Sequence, residues 1–535
     1  MFKRLILCVV SVFIFSNCSG GGNGGVANPG ETVTVSGLVT YTHYKTTQDG
    51  IDYNNPIEKP IRGAIAELRN SSGVVLQSGN TSATGAYSFS APASAALSIV
   101  IKAALGTPGT PRLRVVDNTD GGKLYALALN ITSGTSNLTQ NFNANSGWDG
   151  SSYAGLRTSA PFAILDSIYQ AERLVLSVDP TATFPGLTVN WSKNNIPASG
   201  DKTLGQITTS HYTANELYIL GAENIDTDEY DASIITHEWS HYFEDNLSRT
   251  DSIGGSHGTD DILDPRLAFG EGFGNAFSGM VLNDPLYIDT VGASQESVGV
   301  GMNLDADSVI DGSRLNGGIF LDGFYSEFSV QEVLYDLFDS GVSDDDNIGL
   351  GFKPIYDVMV GGQKTTPAFT SIFSFLKYLK DTNLGISADI TALAAGENIG
   401  SGAGNEDEFE DLGLGRRIYT TIPVDAPPLL LDVDGDPLQT WSIYGPITAN
   451  NPGNKLYNRM FFRFSIPASR NYTIEVSSVG SDDVGFTLNE KGSKTFVDSL
   501  NGGGTERLIK SLSPSLYSMD IYSFGKATEF TVRIF

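Results

Sequence analysis

The chain has 535 residues, of which 40% are hydrophobic, and its 61 acidic and 33 basic side chains give a formal net charge of −28 at pH 7. This length is too great for one hydrophobic core and predicts two to four domains. The acidic excess argues against nucleic acid as a partner, because contact with its phosphates requires basic patches.

The first residues resemble the export signal of bacterial lipoproteins. Lys3 and Arg4 form a short basic region, and residues 5–15 are apolar except for Ser11. Eleven residues are too few for a membrane-spanning helix, which indicates a secretion signal. The run ends in the sequence FSNC at Cys18, which resembles a lipoprotein cleavage box. The resemblance implies lipidation of Cys18 and anchoring to the bacterial cell envelope, at the outer membrane.

The alternative is a secreted protein that is cut nearby, in which Cys18 has no role. The only other cysteine, Cys8, lies inside the signal. Cleavage before Cys18 therefore leaves a mature protein without an internal disulfide. We predict a signal peptide over residues 1–17 and a flexible tether, rich in Gly and Asn, over residues 18–31.

Three regions follow the tether. Residues 32–145 carry short alternating strands with turns about every ten residues, which predicts a β-sandwich. Residues 146–422 mix strands with helical spacing, as in 161–178 and 367–378, and residues 423–535 return to strands. The predicted fold class is a multidomain protein, with an N-terminal β-sandwich, a central α+β domain and a C-terminal β-sandwich.

The two outer regions each resemble a known module. The order "SGLVTY … PIRGAIAEL … TGAYSFSAP … LSIVIKA" resembles the transthyretin-like domains that are often appended to exported carboxypeptidases. The run "MFFRFSIPASRNYTIEVSSVGSDDVGFTL" resembles the pre-peptidase C-terminal β-sandwich of secreted bacterial proteases. The resemblances imply modules that position or present an enzyme and carry no chemistry of their own.

Residues 206–212 and 216–220 are predicted as two strands that precede a helix over residues 231–245. On that helix His237 and His241 are one turn apart and face the same way. Two neutral imidazoles so placed can chelate zinc, which leaves positions for a third ligand and a water. Glu238 lies beside them, where a carboxylate can take a proton from that water.

The alternative is a surface helix on which two histidines and a glutamate meet by chance. The chain has only five histidines, and two of them fall within this HExxH frame. The apolar residues around the pair indicate a buried helix, where unpaired histidines would be costly. These observations favour zinc.

The third ligand distinguishes the families of HExxH proteins. A metzincin continuation is excluded, because Glu244 and Leu247 stand where its glycine and third histidine would be. Thirty residues after His241 comes Glu271, at the start of a predicted helix of small residues in the run FGEGFGNAF. HExxH followed by a glutamate on a second helix resembles the gluzincins, the group of thermolysin and fungalysin. The resemblance implies a zincin-like central domain, with Glu271 as third zinc ligand and Asn275 where these families usually place an aspartate that hydrogen-bonds a zinc-bound histidine.

Other residues remain candidates for roles in this site. His257, Asp260 and Asp261 are alternative third ligands. The resemblance implies that strand 206–212 pairs with the substrate backbone, and His211 on it is either a substrate contact or without a role.

Amide hydrolysis also requires a group that stabilises the oxyanion. The segment 323–338 resembles a fungalysin helix, on which we assign Tyr325 this task, with His257 as a rival and Tyr335 packed in the core. Acidic clusters within 305–311, 344–346 and 432–436 could bind Ca²⁺, but none has the full EF-hand pattern, and solvated acidic turns explain them better in this acidic chain.

The sequence thus predicts a zinc metallopeptidase that hydrolyses a protein or peptide substrate, with Glu238 as general base. One alternative is a catalytically inactive zincin-fold lipoprotein that acts as a surface binding protein or adhesin. A second is a zinc hydrolase that acts on another amide or on an ester. Cleavage of a mixed peptide library separates the three hypotheses.

Overall fold

The computed structural model describes residues 31–258, 261–305, 322–340, 348–404, 406–411, 418–432, 453–456, 458–480, 482–499, 504–523 and 529–535, with short strands at 8–9, 315–316 and 319–320. The predictions for Cys18 and Asp260, and most of those for calcium at 305–311, 344–346 and 432–436, concern residues outside these ranges. None of the described helices combines the length and hydropathy that a membrane span requires.

The described chain forms two compact units, residues 1–242 with 286–301 and residues 243–285 with 302–535. The first unit is rich in strands. One sheet has the order Cys8–Val9, Ala126–Thr132, Ala96–Lys102, Ile65–Asn70 and Val75–Asn80, and in a second sheet the strands Leu138–Thr139, Phe142–Ala144, Ile57–Pro60 and Ala86–Pro92 pair with Thr32–His43. A third sheet has the order Ala104–Thr107, Thr110–Asp117, Leu187–Trp191, Glu216–Ile219 and His211–Thr213, with Lys123–Leu124 also paired to Thr110–Asp117. A fourth has the order Gly221–Ala222, Asp226–Thr227, Leu286–Val291 and Ser297–Asn303, and Thr46–Thr47 pairs with Gly50–Ile51.

One sheet of the first unit joins segments that the sequence placed in separate regions. The strand Thr110–Asp117 pairs in parallel with Leu187–Trp191, which pairs in parallel with Glu216–Ile219. The next and last strand of this sheet, His211–Thr213, is antiparallel to its neighbour. A strand is predicted from residue 206, but the strand begins only at His211, because Gln206 and Ile207 instead form isolated bridges with Ile196 and Ser199.

Helix α1, Ala160–Val178, matches its predicted bounds closely and begins with Pro161 in its first turn, where the missing N–H costs no hydrogen bond. Helix α2, Ala232–Asn246, contains the HExxH motif. Its apolar residues Ile235, Trp239 and Tyr242 are buried, as the helical spacing predicts.

The second unit contains the remaining helices, two larger sheets and one short pair of strands. The helices are α3 Pro265–Leu282, α4 Glu327–Asp336, α5 Phe352–Val360, α6 Gly362–Thr365, α7 Ile372–Thr382 and α8 Ser387–Gly396. A helix predicted over 367–378 therefore begins five residues late. The Ser374 hydroxyl accepts a hydrogen bond of 3.0 Å from the Ser371 amide, which caps the first turn so that the helix starts after Ser371.

The C-terminal residues of this unit form a β-sandwich. One sheet has the order Tyr419–Thr421, Arg459–Ile466, Ser515–Ser523, Val484–Glu490 and Ser493–Val497. The other sheet has the order Leu429–Asp432, Glu529–Ile534, Arg470–Ser478 and Thr505–Leu512. The short strands Leu315–Asn316 and Ile319–Phe320 pair with each other, apart from the sandwich. Buried side chains of both sheets, among them Phe462, Phe486, Ile474 and Val532, pack into one core. The protein is thus multidomain and strand-rich, as predicted.

Candidate metal centre

Helix α2 is held by side chains on both of its faces. The Tyr242 hydroxyl donates to the Pro185 carbonyl oxygen at 2.7 Å, and the Ser233 hydroxyl accepts from the Ile288 amide at 3.3 Å. Trp239 is fully buried and its ring lies 5.9 Å from that of Phe184. These contacts fix the orientation of the helix, and with it the direction in which His237 and His241 point.

The two histidines converge as the HExxH spacing predicts. Their Nε2 atoms are 3.1 Å apart, and His237 is buried while His241 is partly exposed. Two nitrogens that bind one zinc at 2.0–2.1 Å in tetrahedral geometry would be roughly 3.3 Å apart. The pair therefore fits a shared metal ion with almost no adjustment.

Glu238 lies next to the end strand of the neighbouring sheet. Its Oε2 atom accepts a hydrogen bond of 2.8 Å from the Tyr212 backbone amide. Tyr212 lies in the middle of the end strand His211–Thr213, and its backbone amide points away from the sheet. This amide holds the Glu238 carboxylate. No pattern in the sequence predicts this contact, because it depends on the register of two strands.

Helix α3 carries Glu271. Asp264 caps its N-terminus by accepting from the Arg266 amide at 3.0 Å, and Pro265 occupies the first turn. The sequence predicts Glu271 at the start of the helix, but it lies in the second turn.

A second group of ligand atoms includes Glu271. The His257 Nε2 atom is 3.6 Å from Glu271 Oε2, and Glu327 of α4 completes a group whose atoms lie within 4.8 Å. Burial lowers the pKa of His257, but the hydrogen bond and charge of Glu271, with the charge of Glu327, outweigh it and raise the pKa to about 9. Sequence reasoning missed Glu327, although it directly follows Ser326, the predictable N-cap of α4.

The other predicted site residues have defined surroundings. The Asn275 amide donates to Gln331 Oε1 at 2.8 Å, and the Tyr325 hydroxyl donates to the Asp322 carbonyl oxygen at 3.2 Å. His211 stacks on Tyr218 at 5.1 Å, and burial lowers its pKa. Asp261, an alternative ligand, forms an ion pair with Lys455 at 2.7 Å.

Close packing of α3 against α4 fixes the position of Glu271. A Cβ atom on Gly272 would lie 2.6 Å from the Val330 side chain and 2.8 Å from the Glu327 carbonyl oxygen. The glycine next to Glu271 therefore permits the contact of the two helices.

Gly272→Ala should lower the free energy of unfolding by about 1–3 kcal/mol, because the added methyl group forces the two helices apart. Chemical denaturation of the two proteins measures the change. Gly385→Ala is the matched control, since nothing lies within 4 Å of a Cβ atom there. Equal stability of Gly272→Ala and wild type would contradict the observed packing.

Comparison with known proteins gives little further information. No protein-family model and no curated protein matches the chain. Similarities to solved structures include the pre-peptidase C-terminal domain of a collagenase from Bacillus anthracis, with 9% identity over 22% of this chain and 94% of that one and a TM-score of 0.16. Another is the C-terminal CBM6 of LamC from Zobellia galactanivorans, with 25% identity over 14% and 70% of the two chains and a TM-score of 0.11.

Proposed function

We propose that the protein is a zinc-dependent metallopeptidase of the gluzincin type, with His237, His241 and Glu271 as the zinc ligands. The observation that carries the proposal is the 3.1 Å separation of the two Nε2 atoms on one helix. The gluzincin-like spacing of the sequence supports Glu271 as the third ligand, and two nitrogens with one oxygen are a donor set that zinc accepts.

In this proposal Glu238 is the general base. Bound zinc would act as a Lewis acid on the scissile carbonyl and lower the pKa of water in the site. Glu238 takes a proton from the attacking water and delivers it to the leaving amine. The hydrogen bond from the Tyr212 amide keeps one carboxylate oxygen oriented while the other remains available for this transfer.

A peptide is the favoured substrate because of the end strand. His211–Thr213 is bonded to a neighbour on one side only, within the described sheet, and Tyr212 on it contacts Glu238. An extended peptide that adds to this edge would pass beside the proposed base. His257, whose imidazole is 3.6 Å from Glu271, is a candidate for stabilising the oxyanion, and Tyr325 remains the candidate from sequence.

The proposal includes the location of the enzyme. The lipoprotein-like signal and Cys18 support an N-terminal lipid anchor in the bacterial envelope, with the transthyretin-like and pre-peptidase-like modules on either side of the peptidase. The enzyme would then meet its substrates at a membrane surface.

Metal analysis of the purified mature protein tests the zinc site. Wild type should contain one zinc, and His241→Ala should lose it, because two remaining ligands cannot complete the site. His211→Ala is the matched control, since it removes a histidine from the adjacent strand and should retain the metal. Stoichiometric zinc in His241→Ala would exclude this ligand set. Full zinc in a wild type that cleaves no member of a peptide library would favour the binding-protein alternative.

A further inference from the structure

A second cluster of potential ligands lies in the first unit, on the segment that precedes helix α2. Asp226 lies on the short strand Asp226–Thr227, and Asp228 directly follows that strand. Asp289 lies on the strand Leu286–Val291. The two strands are antiparallel, with Asp226 opposite Val291, which brings Asp228 opposite Asp289. One oxygen from each of the three carboxylates lies within 4.8 Å of the others.

The carboxylates have unused acceptor atoms in a buried place. Asp228 is only 3% exposed, and its Oδ1 atom has no hydrogen-bond partner, while its Oδ2 atom accepts from the Ser210 hydroxyl. The Oδ1 atom of Asp226 is also buried without a partner. No Lys or Arg of the described chain forms an ion pair with any of the three, and an unpaired buried carboxylate is costly.

A fourth buried carboxylate nearby, that of Asp231, already accepts hydrogen bonds from the protein. Asp231 accepts from the Thr290 amide at 2.7 Å and from the Thr290 hydroxyl at 2.9 Å. Burial and the nearby Asp226 raise the pKa of Asp289 to about 7, and burial with its acidic neighbours raises the pKa of Asp228 well above its usual range. Carboxylates placed in this way must either hold protons or share a cation.

We infer that Asp226, Asp228 and Asp289 bind a calcium ion. Three carboxylates without a nitrogen or sulfur ligand form the hard, oxygen-only donor set that calcium prefers, and zinc would favour the histidine site instead. The calcium site lies outside the clusters that the sequence suggested. It also does not depend on the zinc site, because none of its ligands belongs to that group.

The ion would support the start of helix α2. It joins the hairpin before the helix to the strand Leu286–Val291, and this strand bonds to Asp231 through Thr290 and to Ser233 through the Ile288 amide. Calcium would therefore stabilise the base from which the HExxH helix begins.

Calcium titration of the full mature protein, prepared without added calcium, tests this inference. Calorimetry should show one bound Ca²⁺, and the melting temperature should rise by about 5–10 °C at a concentration 100 times the Kd. Asp228→Asn should bind calcium at least ten times more weakly. Asp120→Asn removes an exposed carboxylate of the same unit, paired only with Lys123, and should respond like wild type.

Three results would overturn the inference. They are the absence of calcium binding by wild type, unchanged calcium affinity in Asp228→Asn, and a melting temperature that depends on pH identically with and without calcium. The last result would assign the cluster to carboxyl groups that share protons. If Asp228→Asn does not fold, Asp226→Asn, at a less buried position, takes its place. His241→Ala should keep the calcium response, so that failure of the zinc proposal is recognised separately.

Discussion

Glu238→Gln should leave zinc bound and the fold intact but lower the rate of peptide cleavage by a factor of about 10² to 10⁴. Glutamine has nearly the size of glutamate, and its amide oxygen can still accept the hydrogen bond from the Tyr212 backbone amide. It cannot take a proton from water at neutral pH. The loss could exceed this range, since the same carboxylate acts on the water and on the leaving amine.

Initial rates on a peptide library at neutral pH measure the effect, together with the zinc content of each protein. Glu216→Gln is the matched control, because Glu216 lies on the neighbouring strand and accepts from the Tyr218 hydroxyl at 2.6 Å. It should cleave at the wild-type rate. Equal cleavage by Glu238→Gln and wild type would locate the activity elsewhere in the protein.

Asp520→Asn should lower the free energy of unfolding by about 3–5 kcal/mol. Asp520 is fully buried in the C-terminal sandwich, where its Oδ2 atom accepts from Arg266 at 2.8 Å and from Arg459 at 3.0 Å. Arg266 is only 2% exposed and belongs to α3, the helix that carries Glu271. Loss of the charge on Asp520 leaves Arg266 with Asp264 as its only remaining buried carboxylate contact in the described chain.

Denaturant unfolding at several pH values measures this difference. Burial raises the pKa of Asp520, but Arg266 and Arg459 outweigh it and hold the pKa below its usual value. The stabilisation is therefore complete above the unfolded pKa of about 3.9 and is lost as pH falls through the lower folded value. The difference between wild type and Asp520→Asn should shrink in that acid range.

The control for this prediction is Asp425→Asn, which breaks an exposed pair with Arg470 in the same sandwich. An exposed pair contributes about 0–1 kcal/mol, so this variant should stay close to wild type. Equal stability of all three proteins would show that the buried pair is not important for the second unit.

Features that depend on neighbouring residues could be predicted from the sequence. The bounds of α1 and α2 and the convergence of His237 and His241 follow from helical spacing alone. The late start of α7 was missed because the Ser371 cap competes with propensity over one turn. The position of Glu271 relative to the start of α3 was also missed. Asp264 and Pro265 begin the helix earlier than the glycine-rich run suggests.

Features that depend on distant pairing could not be predicted. The parallel pairing of Thr110–Asp117 with Leu187–Trp191 leaves no local pattern, since the register is set by the fold. The same holds for the cluster of Asp226, Asp228 and Asp289, whose members lie up to 63 residues apart in the printed sequence. Isolated aspartates in an acidic chain give no sign that they share a buried place.

The buried pair of Arg266 and Asp520 has a consequence for any cleavage of the chain before the C-terminal sandwich. The guanidinium also lies over the rings of Phe369 and Phe461, which belong to one apolar cluster with Tyr419. A protease that trimmed the chain back to residue 422 would remove Asp520 and Phe461 and leave Arg266 with Asp264 as its remaining carboxylate contact in the described chain. Loss of the C-terminal sandwich should therefore destabilise helix α3, which carries Glu271, the proposed third ligand.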